Sequence, residues 1–508
     1  MTGSSNIMGP LEFAEILPGC SFKAKTRECG NSRATYKIAD YSDPRLNDTI
    51  VWTHANCVCN EVKALMMRHQ LETNRTYSGD NIILRALNQL VHENNGYEQL
   101  KRSSFREVIN HYSGAKKKEY ERGAQSLSDD PLNFKKDAKV RMFLKDDKYH
   151  IDTLETKRED AEIKPARCIQ FRNKRYGLTL ATYLQPLEHK VYSLVDRTGT
   201  FVFAKGRNMD QRASDLAAKW DSFVNPVGIL LDHSKFDCHV KEEHLEQEHA
   251  FYENWFKGDQ KLSMLLRMQK RNSGSTHLGT TYRTVGTRMS GDQNTGLGNS
   301  CINYGMLRPF GGENAAYYID GDDSVIIVER ADLNKLDFSF FELMGMSTKH
   351  EVVYELEKVE FCQCRPVYDG VNWHMVRNPM RVLARLPWLT NKKHLPVIPR
   401  YLKSIGMCEL ALNLGIPVLQ SIAESYMKAG GGKYIVTDRH YLAKDMYIKP
   451  WNAKSVPIRQ VTRESFERAW AISIEEQEKL EKIVILRPES NVIAQAIDII
   501  PAGVHIEL

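Results

Sequence analysis

The sequence predicts an α+β protein, and three observations carry that reading. Residues Ala316 to Glu329 read AYYIDGDDSVIIVE, with runs of β-branched and aromatic residues, Tyr317–Ile319 and Val325–Val328, on either side of Asp320-Gly321-Asp322-Asp323. Asp and Gly tolerate the left-handed backbone of a tight turn, so the stretch reads as a β-hairpin. A second hairpin is read from Val359–Tyr368 and Trp373–Val376, around Asp369-Gly370. Beyond Pro387 the patterning becomes mostly helical: Tyr401–Leu414, Pro417–Ala429 and Glu464–Val484, the last rich in i,i+4 charge pairs.

The chain has 508 residues, enough for several domains or one multi-lobed enzyme. It is 42% hydrophobic and 26% charged, ordinary for a globular protein, and its net charge of +6 argues only weakly for a polyanionic partner. No apolar run approaches the roughly 18 residues of a membrane span, and Met1–Pro10 lacks a signal-peptide pattern. Ten irregularly spaced cysteines fit a reducing compartment. The expectation is a soluble, intracellular protein without internal repeats or a long linker.

Residues 1–130 say least. Cys20, Cys29, Cys57 and Cys59, with His54 nearby, fit buried thiols as well as a zinc site, because their spacing is not that of paired knuckles. Asn47-Asp-Thr and Asn74-Arg-Thr match the glycosylation pattern, which is idle without a secretion signal. Asn81–Asn94 carries apolar residues at helical spacing. From Lys101 a basic series begins, running through Lys116-Lys117-Lys118, Lys135-Lys136 and Arg141 into KPARCIQFRNKRYGL, Lys164 to Leu178. There Ile169, Phe171 and Tyr176 interleave with Arg167, Arg172 and Arg175, which reads as a strand able to present cations to a phosphate chain. Helices are expected at Asn208–Lys219 and Lys241–Lys257, and an apolar strand at Val224–Leu231. Thr280–Asn303 is expected as a loop entering a helix from Gly296, and Phe338–Met344 as a further helix.

Asp232 ends the Val224–Leu231 strand, and Asp237 follows five residues later. A strand-end carboxylate beside an acidic hairpin is what two-metal phosphoryl chemistry requires: one ion lowers the pKa of an attacking hydroxyl and the other stabilises the leaving oxygens. Magnesium suits hard oxygen ligands and shares its shell with phosphates. Asp232 and Asp322 are the expected bridging pair, with Asp323 auxiliary. In GTRMSGDQNTGLGNS, Gly286 to Ser300, Ser290-Gly291 would let a backbone approach a nucleic-acid strand. Thr295 and Asn299 lie four apart, on one helix face, where they can reach a ribose. Asp237 and Asn299 together can bond a 2′-hydroxyl, the group that separates ribonucleotides from deoxyribonucleotides.

The order basic strand, D-x4-D, SG-x3-T-x3-N and GDD resembles the palm of viral RNA-dependent RNA polymerases, most closely the tombusvirus-like group of positive-strand RNA viruses. Longer runs carry that closer likeness: HYSGAKKKEYE (111–121), ATYLQPLEHKVY (181–192), LDHSKFDCHV (231–240), RMSGDQNTGLGN (288–299) and EFCQCRPVYDGVNWHMVRNP (360–379). The likeness covers roughly residues 100–380. It implies a closed right hand: fingers in 1–130 and 131–221, a palm of antiparallel sheet plus helices in 222–380 with a fingers insertion around 258–285, and a mostly helical thumb and tail in 381–508.

The same resemblance implies template-directed RNA synthesis from NTPs with two magnesium ions, manganese being the expected substitute. Lys164, Arg167, Arg172 and Arg175 match the motif holding the incoming triphosphate, and Asp237, Ser290, Thr295 and Asn299 complete the expected NTP-binding set. Lys349 matches the general acid for pyrophosphate release. Phe361, Cys362 and Gln363, with Gly291, match contacts to the RNA strands. Initiation without a protein primer is implied too. Relatives often carry membrane-targeting sequence upstream, which this chain does not show, so it either begins downstream of such a region or relies on another protein. The implied partners are template and nascent RNA, an accessory viral replicase protein and host membranes, in cytoplasmic replication complexes. A reverse transcriptase would carry an aromatic-x-Asp-Asp hairpin and a bulky residue excluding the 2′-hydroxyl. An inactive RNA-binding scaffold would lack a carboxylate or a fingers motif. The residues here fit neither.

Overall fold

The computed structural model describes residues 16–24, 33–70, 77–151, 165–437 and 452–495. At its centre is an antiparallel four-stranded sheet in the order Ala316–Asp320, Asp323–Glu329, Pro226–His233, Thr348–Val353. Its first three strands carry apolar runs because both their faces are largely buried, whereas the edge strand Thr348–Val353 is mostly exposed. Tyr317, Ile319, Ile326, Val328, Ile229 and Leu231 enter the largest core. Tyr318, Val325 and Ile327 enter a second one under the Met209–Asp221 helix, with Leu216, Val359 and Phe361.

A five-stranded sheet lies in the order Ser21–Lys23, Thr281–Val285, Arg271–Thr276, Val140–Leu144, Cys168–Arg172. The expected loop over Thr280–Asn303 thus contains a strand at Thr281–Val285, and its helix begins at Thr295 and runs to Gly311. The basic stretch also differs from expectation. The strand ends at Arg172, Asn173 caps the Tyr176 amide, and a helix runs from Lys174 to Val191. Helical spacing wins there because Tyr176, Leu180, Tyr183, Leu184, Leu187 and Val191 all enter the main core.

The remaining expected elements are present with shifted ends: helices Ile82–Glu93, Met209–Asp221, Glu242–Trp255 and Phe340–Leu343, and a hairpin of Cys364–Tyr368 with Trp373–Arg377. The C-terminal helices Ile398–Leu412 and Leu419–Ala429 pack around Leu402, Ile405, Ile422 and Tyr426. The single helix expected over Glu464–Val484 is two, Gln460–Trp470 and Ile474–Ile483. Ala471 turns left-handed (φ 55°), and Ser473 with Glu476 forms a capping box for the second. Thr35–Tyr41 pairs with Trp388–Leu389 on one side and Leu486–Gln495 on the other, so the amino-terminal part is stitched to the carboxy-terminal helices. Residues 496–508 of the unplaced C-terminal stretch lie outside the described residues. Among the described residues no helix is long and apolar enough to cross a membrane.

Candidate active site

The acidic hairpin closes on the pair Asp320–Asp323, with Gly321 at φ 69° in the turn. Directly paired residues share a sheet face. Ser324 pairs with Leu231, so the next step along that register sets Asp323 beside Asp232, and Asp232 pairs with Lys349 on its other side. Asp320, Asp323, Asp232 and Lys349 therefore form a row across the end of the central sheet, with Asp322 above it at the turn. The Thr295–Gly311 helix fixes the turn. Ser300 Oγ accepts from the Gly321 amide at 2.8 Å, and Asn303 Nδ2 donates to the carbonyls of Gly321 and Asp322, each at 3.1 Å.

Asp322 and Asp323 are reachable from solvent, yet protein crowds them on one side. That partial loss of water, with repulsion from Asp323 and Asp237 and then Asp232, pushes the Asp322 carboxyl up to about 7. Asp323 is raised as well, first by loss of water and then by Asp320. Arg212 neutralises Asp320 at 2.6 Å, whereas Asp232, Asp322 and Asp323 have no ion-pair partner among the described residues. No group of three or more His, Cys, Asp or Glu among the described residues forms a cage able to hold an ion alone. An open set of hard, mutually repelling carboxylates fits magnesium, which keeps water and phosphate oxygens in its shell.

A second cluster stands beside the first. Asp237 Oδ1 accepts from Asn299 Nδ2 at 2.8 Å, and its other oxygen accepts from the Ser290 hydroxyl. Arg288 Nε donates to Asn299 Oδ1 at 2.9 Å, and the buried Arg288 is ion-paired with the buried Glu248. Because Arg288 occupies the amide oxygen, Asn299 can present only its NH2 group toward Asp237. Gly298 makes room for the pair: a Cβ there would lie 2.3 Å from Glu248 Oε1. Thr295 turns inward, donating its hydroxyl among the carbonyls of Met289 (2.8 Å) and Asp292 (2.9 Å), so it clamps the loop into the helix and does not point with Asn299 toward a sugar.

Several expectations need correction. Arg172 is buried, bonded by Nε to Asp292 at 3.0 Å and otherwise to Ala138 and Asn272, with its guanidinium over the Tyr176 ring. Arg175 spends its donors on Asp137, Ser126, Asp130 and Pro131. Both brace the fold: Arg175 spends all five N–H donors on protein acceptors, and Arg172 is buried away from the acidic row with three of its five so used. Arg167 differs: half its side chain is exposed, it pairs with Asp147 at 2.6 Å, and it feels the charge of Asp322. Lys164 lies outside the described residues. Gly291 does permit a close approach, but to the basic strand: a Cβ would meet the Gln170 carbonyl oxygen at 2.5 Å. Phe361 is buried against Tyr318, so it supports the sheet and is not open to RNA. Cys362 and Gln363 form a tight turn with φ of 51° and 61°, and Arg212 donates to Cys362 Sγ at 3.4 Å. Cys29 lies outside the described residues, and Cys20, Cys57 and Cys59 belong to no metal-holding group among those described.

Sequence reasoning missed Arg288, Glu248, Ser300, Asn303 and Arg212. Asn303 had a signal, lying one turn past Asn299 on the helix that precedes the hairpin. Glu248 had none, since an acidic residue within a helix usually faces water.

A conserved-family model described as "Viral RNA dependent RNA polymerase" matches residues 27–486, and the chain belongs to that family. Among curated relatives it is similar to the RNA-directed RNA polymerase of Tobacco necrosis virus (strain A), 33% identical over 400 residues that cover 74% of this chain and 53% of the relative. It is similar also to those of Carnation mottle virus, 32% identical over 75% of this chain and 50% of the relative, and Tomato bushy stunt virus (strain Cherry), 34% identical over 73% and 46%. The chain spans about half the length of the curated relatives it matches.

Proposed function

We propose that this chain synthesises RNA on an RNA template by nucleotidyl transfer from NTPs, as the replicase core of a positive-strand RNA virus. The observation that supports it best is the row Asp323–Asp232–Lys349 beneath Asp322, beside the Asp237–Asn299–Ser290 cluster. Asp232 and Asp322 would hold two magnesium ions with Asp323 auxiliary, and the bound metals would activate the attacking 3′-hydroxyl and stabilise the phosphoryl oxygens. Asp322 must lose its proton to serve. Lys349 lies across from Asp232 and would give a proton from Nζ to the departing pyrophosphate. Among the described residues Arg167 is the cation best placed for the triphosphate, and Lys164 shares the role on the family resemblance alone.

Asn299, its amide oriented by Arg288, donates to the 2′-hydroxyl, and Asp237 accepts from it. A site built to bond a hydroxyl rejects the analogue lacking it. On this reading the central sheet is the palm, the five-stranded sheet and its helices the fingers, and the C-terminal helices the thumb. Initiation without a protein primer, partnership with an accessory replicase protein and host-membrane docking belong to the same proposal. The test gives the purified chain a short heteropolymeric RNA and compares kcat/KM for ATP and dATP opposite a templating uridine. Complementary RNA with strong preference for ATP is expected, and equal use of dATP would overturn the assignment of the sugar contacts.

A further inference from the structure

Outside the acidic row, a cavity of about 600 Å³ opens between the Lys174–Val191 helix, the turn at His111–Tyr112 and the segment 201–207. Its size lies within the roughly 300–1,000 Å³ of small-molecule sites. Its walls include the rings of Tyr112, Tyr192 and Phe201, and Lys205 stands exposed at its rim. Two acceptors sit one helical turn apart on the wall. Gln185 Oε1 is buried without a hydrogen-bond partner among the described residues. The Glu188 carboxylate has no hydrogen bond or ion pair among them either. Loss of water pushes the Glu188 carboxyl up to about 7, with Lys205 pulling the other way. Buried polar groups are nearly always satisfied, so the unpartnered Gln185 Oε1, with the half-buried Glu188 carboxylate one helical turn away, calls for a ligand that brings N–H groups.

The geometry points to a guanine-nucleotide site: we propose that the base enters between Tyr192 and Phe201, past the edge of Tyr112, whose ring faces are taken by Tyr120 and Lys116, with Glu188 and Gln185 reading its edge and Lys205 holding the phosphate. Guanine carries N1–H and the N2 amino group side by side, so two N–H bonds can run in parallel to one carboxylate, as from a guanidinium fork. The second N2 hydrogen then reaches Gln185 Oε1. Adenine, cytosine and uracil each place an acceptor beside their donor on that edge and would face a carboxylate with like polarity. Aromatic walls are the usual partners of an unstacked base. The guanine can belong to a free nucleotide or to an RNA strand.

The experiment titrates GMP and AMP separately into the full chain without magnesium, following binding by calorimetry, and repeats this with single-stranded A5 and A2GA2 RNA. A preference for guanine of about tenfold is expected from charge-assisted bonds, in the GMP arm for a free nucleotide or in the RNA arm for a strand. Glu188→Gln, close to isosteric, should bring that ratio near one, and Asp322→Asn should leave it unchanged. A ratio equal in wild type and Glu188→Gln overturns the proposal, as does binding of spermidine with no binding of GMP or A2GA2. Should Glu188→Gln fail to fold, wild-type photocrosslinking with 6-thioguanosine monophosphate and with A2GA2 carrying 6-thioguanosine decides the matter. Adducts within 181–207 support the site, and adducts confined elsewhere overturn it.

Discussion

Asp322 stands at a turn with carboxylates around it, and its protonation governs whether it can hold a cation. Its carboxyl, raised to about 7, is neutral below that pH and ionised above it. A cation must therefore displace a proton below pH 7 and none above, so metal demand should grow as pH falls. The magnesium concentration for half-maximal incorporation is expected to rise roughly tenfold between pH 7.5 and pH 6. A requirement flat across that range would mean Asp322 titrates at an ordinary carboxylate value. The arginines give a second expectation at this scale. Arg167→Ala should raise KM for NTP while leaving thermal stability nearly unchanged, since Arg167 is half-exposed. Arg172→Ala should instead cost about 3–5 kcal/mol of stability, because Asp292 would be left buried without its partner. Paired denaturation and steady-state measurements separate the two. A stable Arg172→Ala chain with raised KM would return that residue to the triphosphate site.

At the scale of elements, the Thr295–Gly311 helix organises both clusters, holding the hairpin turn through Ser300 and Asn303 and the Asp237 carboxylate through Asn299. Its close seat on Glu248–Arg288 depends on Gly298. Gly298→Ala should displace the Arg288 guanidinium and free the Asn299 amide to flip, narrowing ATP-over-dATP discrimination about tenfold. Glu248→Gln should act in the same direction more weakly. If Asn299→Ala narrows discrimination and Gly298→Ala does not, the amide is oriented by something other than Arg288. An unchanged ratio in Asn299→Ala itself would place sugar selection elsewhere. The helix and hairpin were legible in the sequence because apolar runs, an Asp-Gly turn and a Gly/Ser/Thr loop are local signals. The switch from strand to helix at Asn173 was hidden because apolar residues interleaved with arginines imitate a strand, and the core contacts of Tyr176 and Leu180 reveal the helix.

Across the whole molecule, what escaped the sequence is what depends on distant partners. Whether an arginine meets phosphate or carboxylate depends on residues far along the chain: Asp292 is 120 positions from Arg172, and Asp137 is 38 from Arg175. The pairing of Thr35–Tyr41 with Leu486–Gln495 joins opposite ends of the chain and has no local signature. The row of Asp323, Asp232 and Lys349 was half-legible. Motif spacing named its members, but only strand register makes them neighbours. The measurement that tests the central claim most directly is single-nucleotide incorporation on a short RNA template by the wild-type chain and by Asp322→Asn, with template affinity measured in parallel. The account predicts a loss of several orders of magnitude in rate, since the carboxylate pair positions the charge stabilisation of the transition state, with template affinity nearly unchanged. A mutant retaining a tenth of the wild-type rate would contradict it.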